Sequence, residues 1–450
     1  MFVMGLLIFG CENGMVDVDS VESDSFTEET VEGLDSFDGL DGTGVSQETE
    51  AVIESGFDWY NHPDRFEEDY VYTFTELPLG GNIEKTPWSG DYWAKNKGGI
   101  SYRWQTDERF TYTSYTEDEL KMMSSEEISL LSPAEKYDVL VEHYDYPLNT
   151  RALASGNTNE AAWAGYCHGW APAAHRYEEP KPMTLTNGDG IEIPFGSSDI
   201  KALLTYFEGE VANSTFVGHD WSSTIYSLGS TCFSAEILDP ACHDTNPAAF
   251  HVVLANRIGI MDMGFNMDVD KGYEKWNQPV YAYRSQILTT RPPSGQSADE
   301  TVVEYIMETE VHWAMEIHPM WDPVLLTEHQ NSESKTYTYS IEVDKDGQII
   351  GGQWLTPTQQ GGYANIQQVW NYFATLDENG DDQPDLNEDE VNANTSRYFE
   401  IPDYLWYQDD ISIEYDFEPL AGPYDILSTT STSRELLLGY FGALQDLIED

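Results

Sequence analysis

Residues Trp163–His175 read WAGYCHGWAPAAH, and this stretch decides the fold. A single cysteine, Cys167, follows a loop of glycine and aromatic residues and precedes small residues that favour a helix. Pro172 suits only the first turn of such a helix, where a missing N–H costs nothing. The pattern therefore predicts that Cys167 lies at the N-terminus of a helix.

A cysteine in that position is a candidate nucleophile. The free N–H groups and the dipole of the helix would favour the thiolate and lower the pKa of the Cys167 thiol. The backbone N–H of Cys167 and one nearby donor would form an oxyanion hole. The alternative is a buried structural cysteine, which is the commoner fate of a free cysteine.

A cysteine nucleophile needs a base and a group that orients the base. His251 opens the apolar run HVVLANRIG, which we predict to be a strand, and Asp268 lies in a second predicted strand, Phe265–Asp270. A hairpin turning near Gly259 would place His251 and Asp268 opposite each other, with Cβ atoms about 5 Å apart. A turn at Met263 would break that register.

The other patterns predict a mixture of helices and strands. Thr116–Tyr144 is expected to be helical, with Ser132 as N-cap, Pro133 in the first helical position and Glu135 in the third. A second helix is expected from Ser198 to Gly209, and a β-hairpin is expected around Lys345-Asp346-Gly347. The fold class is therefore α+β.

The charge excludes several kinds of partner. The 450 residues carry 21 Lys+Arg against 81 Asp+Glu, a formal net charge of -60. Such a surface repels phosphate groups, which argues against nucleic acid and against binding to anionic lipid headgroups. It is expected instead to favour basic protein substrates.

The N-terminus resembles an export signal. Residues 1–11 contain a short apolar run and end in Gly10-Cys11, as in a bacterial lipobox, so Cys11 is a candidate lipidation site. Bulky Phe9 and the absence of a preceding Lys or Arg depart from that pattern. The alternative is an irregular apolar N-terminus that does not act as an export signal. Residues 12–56 are acidic and predicted to form a disordered tether. We expect a cell-envelope lipoprotein or an extracellular protein, with a lipid anchor as its only membrane contact.

Two further cysteines, Cys232 and Cys242, lie close together in a loop sequence. In an exported protein they would most simply form a disulfide bond with each other. The alternative is a pair of free thiols.

Several segments in order resemble the transglutaminase elicitor family of oomycetes and marine bacteria. They are GYCHGWAPAAH, DIKALLTYFEGE, NPAAFHVVLANRIG, FNMDVDKGYEKWNQPV, IEVDKDGQIIGGQWL and IPDYLW. The resemblance covers roughly residues 75–410. It implies a papain-like or transglutaminase-like core, in which a helix carrying the cysteine packs on an antiparallel sheet carrying His and Asp.

The resemblance also implies the roles of the site residues. The nucleophile falls on Cys167, the base on His251 and the orienting carboxylate on Asp268. Asn277 is a second candidate for the orienting group or for oxyanion support, and Trp163 is a candidate for shielding the site from water. The implied activity is transfer of a protein glutamine acyl group to lysine or another primary amine. The implied substrates are proteins with accessible Gln and Lys side chains.

An acidic insertion at about residues 355–401 departs from the family pattern. It holds a segment with the ligand spacing of an EF-hand loop, formed by Asp377, Asn379, Asp381, Gln383, Asp385 and Glu388. Asp382 stands where such loops have Gly, so a solvated acidic loop is the alternative to a calcium site. Calcium is the expected cofactor, and no organic cofactor is expected.

The expected organisation is an N-terminal region at 57–130 and a catalytic domain at 131–450. Two alternatives to transglutaminase activity are also consistent with the sequence. The same triad would also serve a cysteine peptidase or a deamidase. A surface-binding lipoprotein without activity would keep the fold alone.

Overall fold

The structure is a computed structural model. It describes residues 56–59, 61–67, 69–212, 225–229, 245–269, 274–358, 361–377, 383–387, 390–391, 394–395 and 401–408. No helix among these residues is both long and apolar enough to cross a bilayer.

The helices are short and mostly begin at a polar capping residue. They are α1 (Glu117–Leu120), α2 (Ser125–Ser129), α3 (Pro133–Leu140), α4 (Pro147–Ala154), α5 (Cys167–Arg176), α6 (Ser197–Tyr206), α7 (Pro247–Val253) and α8 (Ile366–Ala374). Single-turn 3-10 helices occur at Pro63–Arg65, Phe74–Glu76, Lys95–Lys97 and Gly99–Ser101, and π-helical turns at Phe207–Ala212 and Leu254–Ile260.

The predicted helix over Thr116–Tyr144 is divided into three. Thr116, Ser124 and Ser132 each form a capping box with a glutamate three residues later, and each box starts a new helix. The predicted capping by Ser132, with Pro133 and Glu135, is present.

The strands are antiparallel throughout. They are β1 (Gly80–Asn82), β2 (Met183–Thr186), β3 (Glu192–Phe195), β4 (Ile225–Gly229), β5 (Phe265–Asp268), β6 (Asn277–Arg291), β7 (Val303–Ala314), β8 (Ser332–Val343), β9 (Ile349–Pro357), β10 (Tyr363–Asn365) and β11 (Tyr404–Gln408). The main sheet has the order β10-β9-β8-β7-β6-β5-β11-β4, with β1 also paired to β6, and β2 pairs with β3. The α+β class is therefore confirmed.

The predicted hairpin is formed by β8 and β9. Gly347 has a φ of 83°, the left-handed conformation that glycine adopts without strain. The strand predicted from Phe265 is β5, which ends at Asp268, and the predicted last residue, Asp270, lies outside the described residues.

The strand predicted for His251–Gly259 is wrong. Asn246 caps the N-terminus of α7, Pro247 occupies its first turn, and the helical path continues through the π-helical turn. Residues 251–258 are all buried, so the run has no polar face to reveal a helical period. The predicted hairpin between residues 251–259 and β5 is consequently absent, because β5 pairs with β6 and β11.

Helix α5 is held between other helices and one end of the sheet. A Cβ on Gly169 would lie 2.0 Å from the Thr205 carbonyl oxygen, so glycine permits the close packing of α5 on α6. On its other side α5 contacts β5 and β6. This packing brings the first turn of α5 to the point where β5 ends and β6 begins.

Candidate active site

Cys167 is the first residue of α5, as predicted, and its side chain is fully buried. The preceding chain is fixed against residues 92–95: the Tyr166 N–H donates to the Tyr92 carbonyl at 2.6 Å and the Lys95 N–H to the Ala164 carbonyl at 2.7 Å. A Cβ on Gly165 would lie 2.4 Å from the Tyr92 ring, so only glycine allows this approach. Pro172 lies in the second turn of α5, one turn later than expected.

Asn277 points its side-chain amide at the cysteine. Its Nδ2 lies 3.4 Å from the Cys167 Sγ. Its Oδ1 accepts from Trp406 Nε1 at 2.7 Å and from the Tyr404 hydroxyl at 3.2 Å. Two donors on the oxygen fix which end of the amide faces the sulfur, so Asn277 is a preorganised N–H donor.

Asp268 fixes the backbone that leads to Asn277. It is fully buried, pairs with Asn277 across β5 and β6, and accepts from the Trp276 N–H at 2.8 Å. The Lys275 carbonyl oxygen lies 3.6 Å from the Cys167 Sγ. The carboxylate of Asp268 therefore positions the chain that contacts the sulfur.

One feature of the site would stabilise a thiolate once Cys167 is reduced. The first turn of α5 has no acidic side chain, so the partial positive charge of the helix N-terminus is not offset there. Burial lowers the pKa of Lys275, while Asp268 and Asp403 oppose that shift. Burial and these same carboxylates raise the pKa of Tyr404 well above its ordinary value, which keeps its hydroxyl protonated as a donor.

Cys167 is not a free thiol in this structure but half of a disulfide bond. The other cysteines of the chain, Cys11, Cys232 and Cys242, lie outside the described residues. If Cys167 were bonded to Cys232 or Cys242, those two cysteines could not be bonded to each other. The disulfide between Cys232 and Cys242 stays a prediction. Lipidation of Cys11 also stays a prediction.

His251 is not brought to Cys167. Its Nδ1 contacts the Tyr339 hydroxyl at 2.8 Å, and a chain of hydroxyl contacts continues through Thr309 to Ser285 on β6, each step 2.7 Å. Asn277 and Ser285 are both on β6 and lie about 26 Å apart along the strand at the usual rise per residue. The hydroxyl chain that begins at His251 therefore reaches β6 far from Asn277 and Cys167. The predicted triad therefore does not assemble: Cys167, Asp268 and Asn277 come together, and His251 lies in the core under β7 and β8.

The buried histidines predict an acid-labile fold. Burial lowers the pKa of His251 to about 4, that of His175 to about 4 and that of His168 to about 3. A histidine that is neutral in the folded protein makes its full contribution to the free energy of unfolding at pH values above 6.5, its pKa in the unfolded chain. This contribution is lost as the pH falls towards 4, its pKa in the folded protein. Between pH 6.5 and pH 5, we expect the free energy of unfolding of wild type to fall by about 2 kcal/mol more than that of His251→Gln.

Urea unfolding at several pH values measures this difference. The exposed His329→Gln change serves as the control and should leave the wild-type pH dependence intact. Parallel curves for wild type and His251→Gln would show that His251 is not neutral in the folded protein.

The two tryptophans near the cysteine differ in their surroundings. Trp163 is half-buried four residues before Cys167, and its role in excluding water stays a prediction. Trp170 is fully buried in the helical core, where a Cβ on Gly90 would lie 2.8 Å from its Nε1. Trp170 is therefore a packing residue.

The predicted calcium loop is only partly described. Asp377, Gln383 and Asp385 lie in the described residues, whereas Asn379, Asp381 and Glu388 do not. Across the described part of the chain, no three His, Cys, Asp or Glu side chains are grouped closely enough to hold a metal ion. Calcium binding by the six-residue set stays a prediction.

Sequence reasoning missed the residues that orient Asn277. Trp406 and Tyr404 belong to IPDYLW, a segment that resembles the family but has no motif indicating a role. Both are fully buried on β11, which lies beside β5. Their contacts with Asn277 span more than a hundred residues of sequence.

Comparison with known proteins identifies the class and then the family. The fold is similar to the crystal structure of the GP42 transglutaminase from Phytophthora sojae, with a TM-score of 0.51, 19% sequence identity, and coverage of 84% of this chain and 93% of that chain. This similarity shows a transglutaminase-like fold. Residues 62–371 match the family described as transglutaminase elicitor, and the chain belongs to that family. No curated protein matches the sequence.

Proposed function

We propose that this protein is a protein-glutamine γ-glutamyltransferase with Cys167 as its nucleophile. The observation that carries the proposal is the Asn277 amide, held by Trp406 and Tyr404 with its Nδ2 3.4 Å from the Cys167 sulfur. Membership of the transglutaminase elicitor family supports the choice of acyl transfer as the reaction.

The proposed reaction begins with reduced Cys167. Its thiolate attacks the γ-carboxamide carbon of a protein glutamine, and the Asn277 N–H stabilises the oxyanion. The C–N bond breaks, ammonia leaves with an added proton, and a thioester remains on Cys167. A lysine amine then attacks the thioester, the isopeptide bond forms, and the thiol is regenerated.

The proton transfers require a base, and we assign none to His251 because of its distance from the site.

Amine incorporation tests the proposed function. The reduced protein is incubated with casein and a fluorescent primary amine, beside Cys167→Ala and with or without EDTA. We expect fluorescence to enter casein with wild type and to be absent with Cys167→Ala. Loss with EDTA, restored by calcium, would support the predicted metal requirement.

Other products would contradict the proposal in distinguishable ways. Ammonia release without incorporation would indicate a deamidase, and cleaved casein a peptidase. No product, together with Cys167 that resists alkylation after reduction, would indicate a binding protein that has kept only the fold.

A further inference from the structure

Four neighbouring apolar side chains are exposed at one end of the main sheet. They are Leu79, Ile260, Met261 and Met263, with 41%, 49%, 36% and 48% of their surfaces exposed. Residues 78–81 run against Gly259, where an added Cβ would lie 2.4 Å from the Pro78 ring. Leu79 and the run from Ile260 to Met263 therefore lie on neighbouring segments, and these four exposed side chains are called the Met261 patch below.

The backbone of the patch is held in place. The Met261 N–H donates to the Asn256 carbonyl at 2.9 Å, and the Met263 N–H donates to the Arg257 carbonyl at 2.8 Å. Asp262 has a φ of 58° and accepts from the Glu84 N–H at 2.8 Å. A loop fixed in this way presents its apolar side chains outward, and clustered exposed apolar side chains of this kind mark interaction sites.

The described chain ends beside this patch. β11 pairs antiparallel with β5, with Leu405 opposite Met267 and Trp406 opposite Asn266. Continuing that register places Gln408 opposite Gly264, the residue after Met263. The chain beyond Gln408 therefore leaves the sheet at the edge of the Met261 patch.

The sequence beyond Gln408 contains a segment of matching chemistry. Residues 434–448 read RELLLGYFGALQDLI. Leu437, Phe441, Leu444 and Ile448 follow a spacing of three or four residues, which predicts an amphipathic helix with one apolar face. Methionine side chains adapt well to such a face because they are unbranched and flexible.

We propose that residues 434–448 dock their apolar face on the Met261 patch. Residues 409–433 would connect the segment to β11, and random-coil statistics give a chain of that length a root-mean-square extension of about 30 Å. A short tether holds the segment at an effective concentration of roughly 1 mM, so an intrinsic dissociation constant of about 100 µM would give about nine-tenths occupancy. The inference does not depend on the proposed catalysis.

Site-specific photocrosslinking in the full chain tests the docking. A benzophenone amino acid replaces Met261. In a control protein it replaces Met122, which is 79% exposed and lies between α1 and α2. We expect crosslinks within one chain from position 261 to peptides of residues 434–448, unaffected by tenfold dilution. We expect none to that segment from position 122.

A second variant separates docking from chance proximity. Leu437→Ser, Phe441→Ser and Leu444→Ser together should lower the crosslink yield at position 261 at least fivefold, with an unchanged circular dichroism spectrum. An unchanged yield in this variant, or no crosslink to residues 434–448, would overturn the proposal. Crosslinks between two chains that weaken on dilution would overturn it in favour of a second copy on the patch.

Discussion

The protein purified without reductant is expected to show no amine incorporation, and a thiol reductant is expected to activate it. Cys167 is in a disulfide bond, and a disulfide sulfur has no thiolate with which to attack a glutamine carboxamide. We expect the gain to be about 10³-fold or more, because removing a nucleophile from catalysis costs factors of this size. Amine incorporation into casein, measured across a series of dithiothreitol concentrations, gives the dependence.

Serine variants of the other cysteines identify the partner of Cys167. Cys11→Ser, Cys232→Ser and Cys242→Ser are assayed separately without reductant, beside Cys167→Ala. The variant that removes the partner should be active without reductant, whereas Cys167→Ala should be inactive in all conditions. Full activity of the unreduced wild type, with Cys167 labelled by a thiol reagent, would rule out this disulfide in solution.

Asn277→Leu is expected to lower kcat of the reduced enzyme by about 10²–10³-fold, which is the usual cost of losing one oxyanion donor. Leucine has nearly the shape of asparagine but offers no N–H to the developing oxyanion. KM for the amine acceptor should change little, because Asn277 contacts the cysteine sulfur. The rate of Cys167 alkylation by iodoacetamide, measured against pH, shows whether the thiolate itself is also affected.

A change at Trp406 tests whether orientation of the amide matters. Trp406→Phe removes the Nε1 donor that lies 2.7 Å from the Asn277 Oδ1 and should lower kcat by about tenfold, since the amide is then held only by Tyr404. Trp88→Phe is the matched control, because its buried Nε1 donates at 3.1 Å to the carbonyl of Tyr177, the C-cap of α5, at the opposite end of the helix from Cys167. Equal kcat values for the two tryptophan variants would show that Asn277 does not need this support.

The locally encoded parts of the fold were predictable. Cys167 begins a helix because small residues follow a glycine-rich loop, and β8 and β9 form a hairpin because Gly347 supplies its turn. The buried apolar run HVVLANRIG has the composition of a strand, although it follows a helical path in the structure. The capping pair Asn246-Pro247 was the local signal that indicated α7.

The site itself was only partly predictable, because it is assembled from distant segments. Cys167 and Asp268 were expected in one site and lie on either side of Asn277. The pairing of His251 with Asp268 required a hairpin that the helical path of residues 247–260 removes. The orientation of Asn277 depends on Tyr404 and Trp406, and nothing near Asn277 in the sequence specifies those contacts.

The position of β11 has a consequence for how the protein is made. β11 inserts between β4 and β5, although it is the last described strand of the chain. A ribosome must therefore synthesise almost the entire polypeptide before Asn277 can acquire its two fixing donors. A nascent or prematurely terminated chain carries the cysteine without an oriented amide beside it, so completion of the chain and completion of the site coincide.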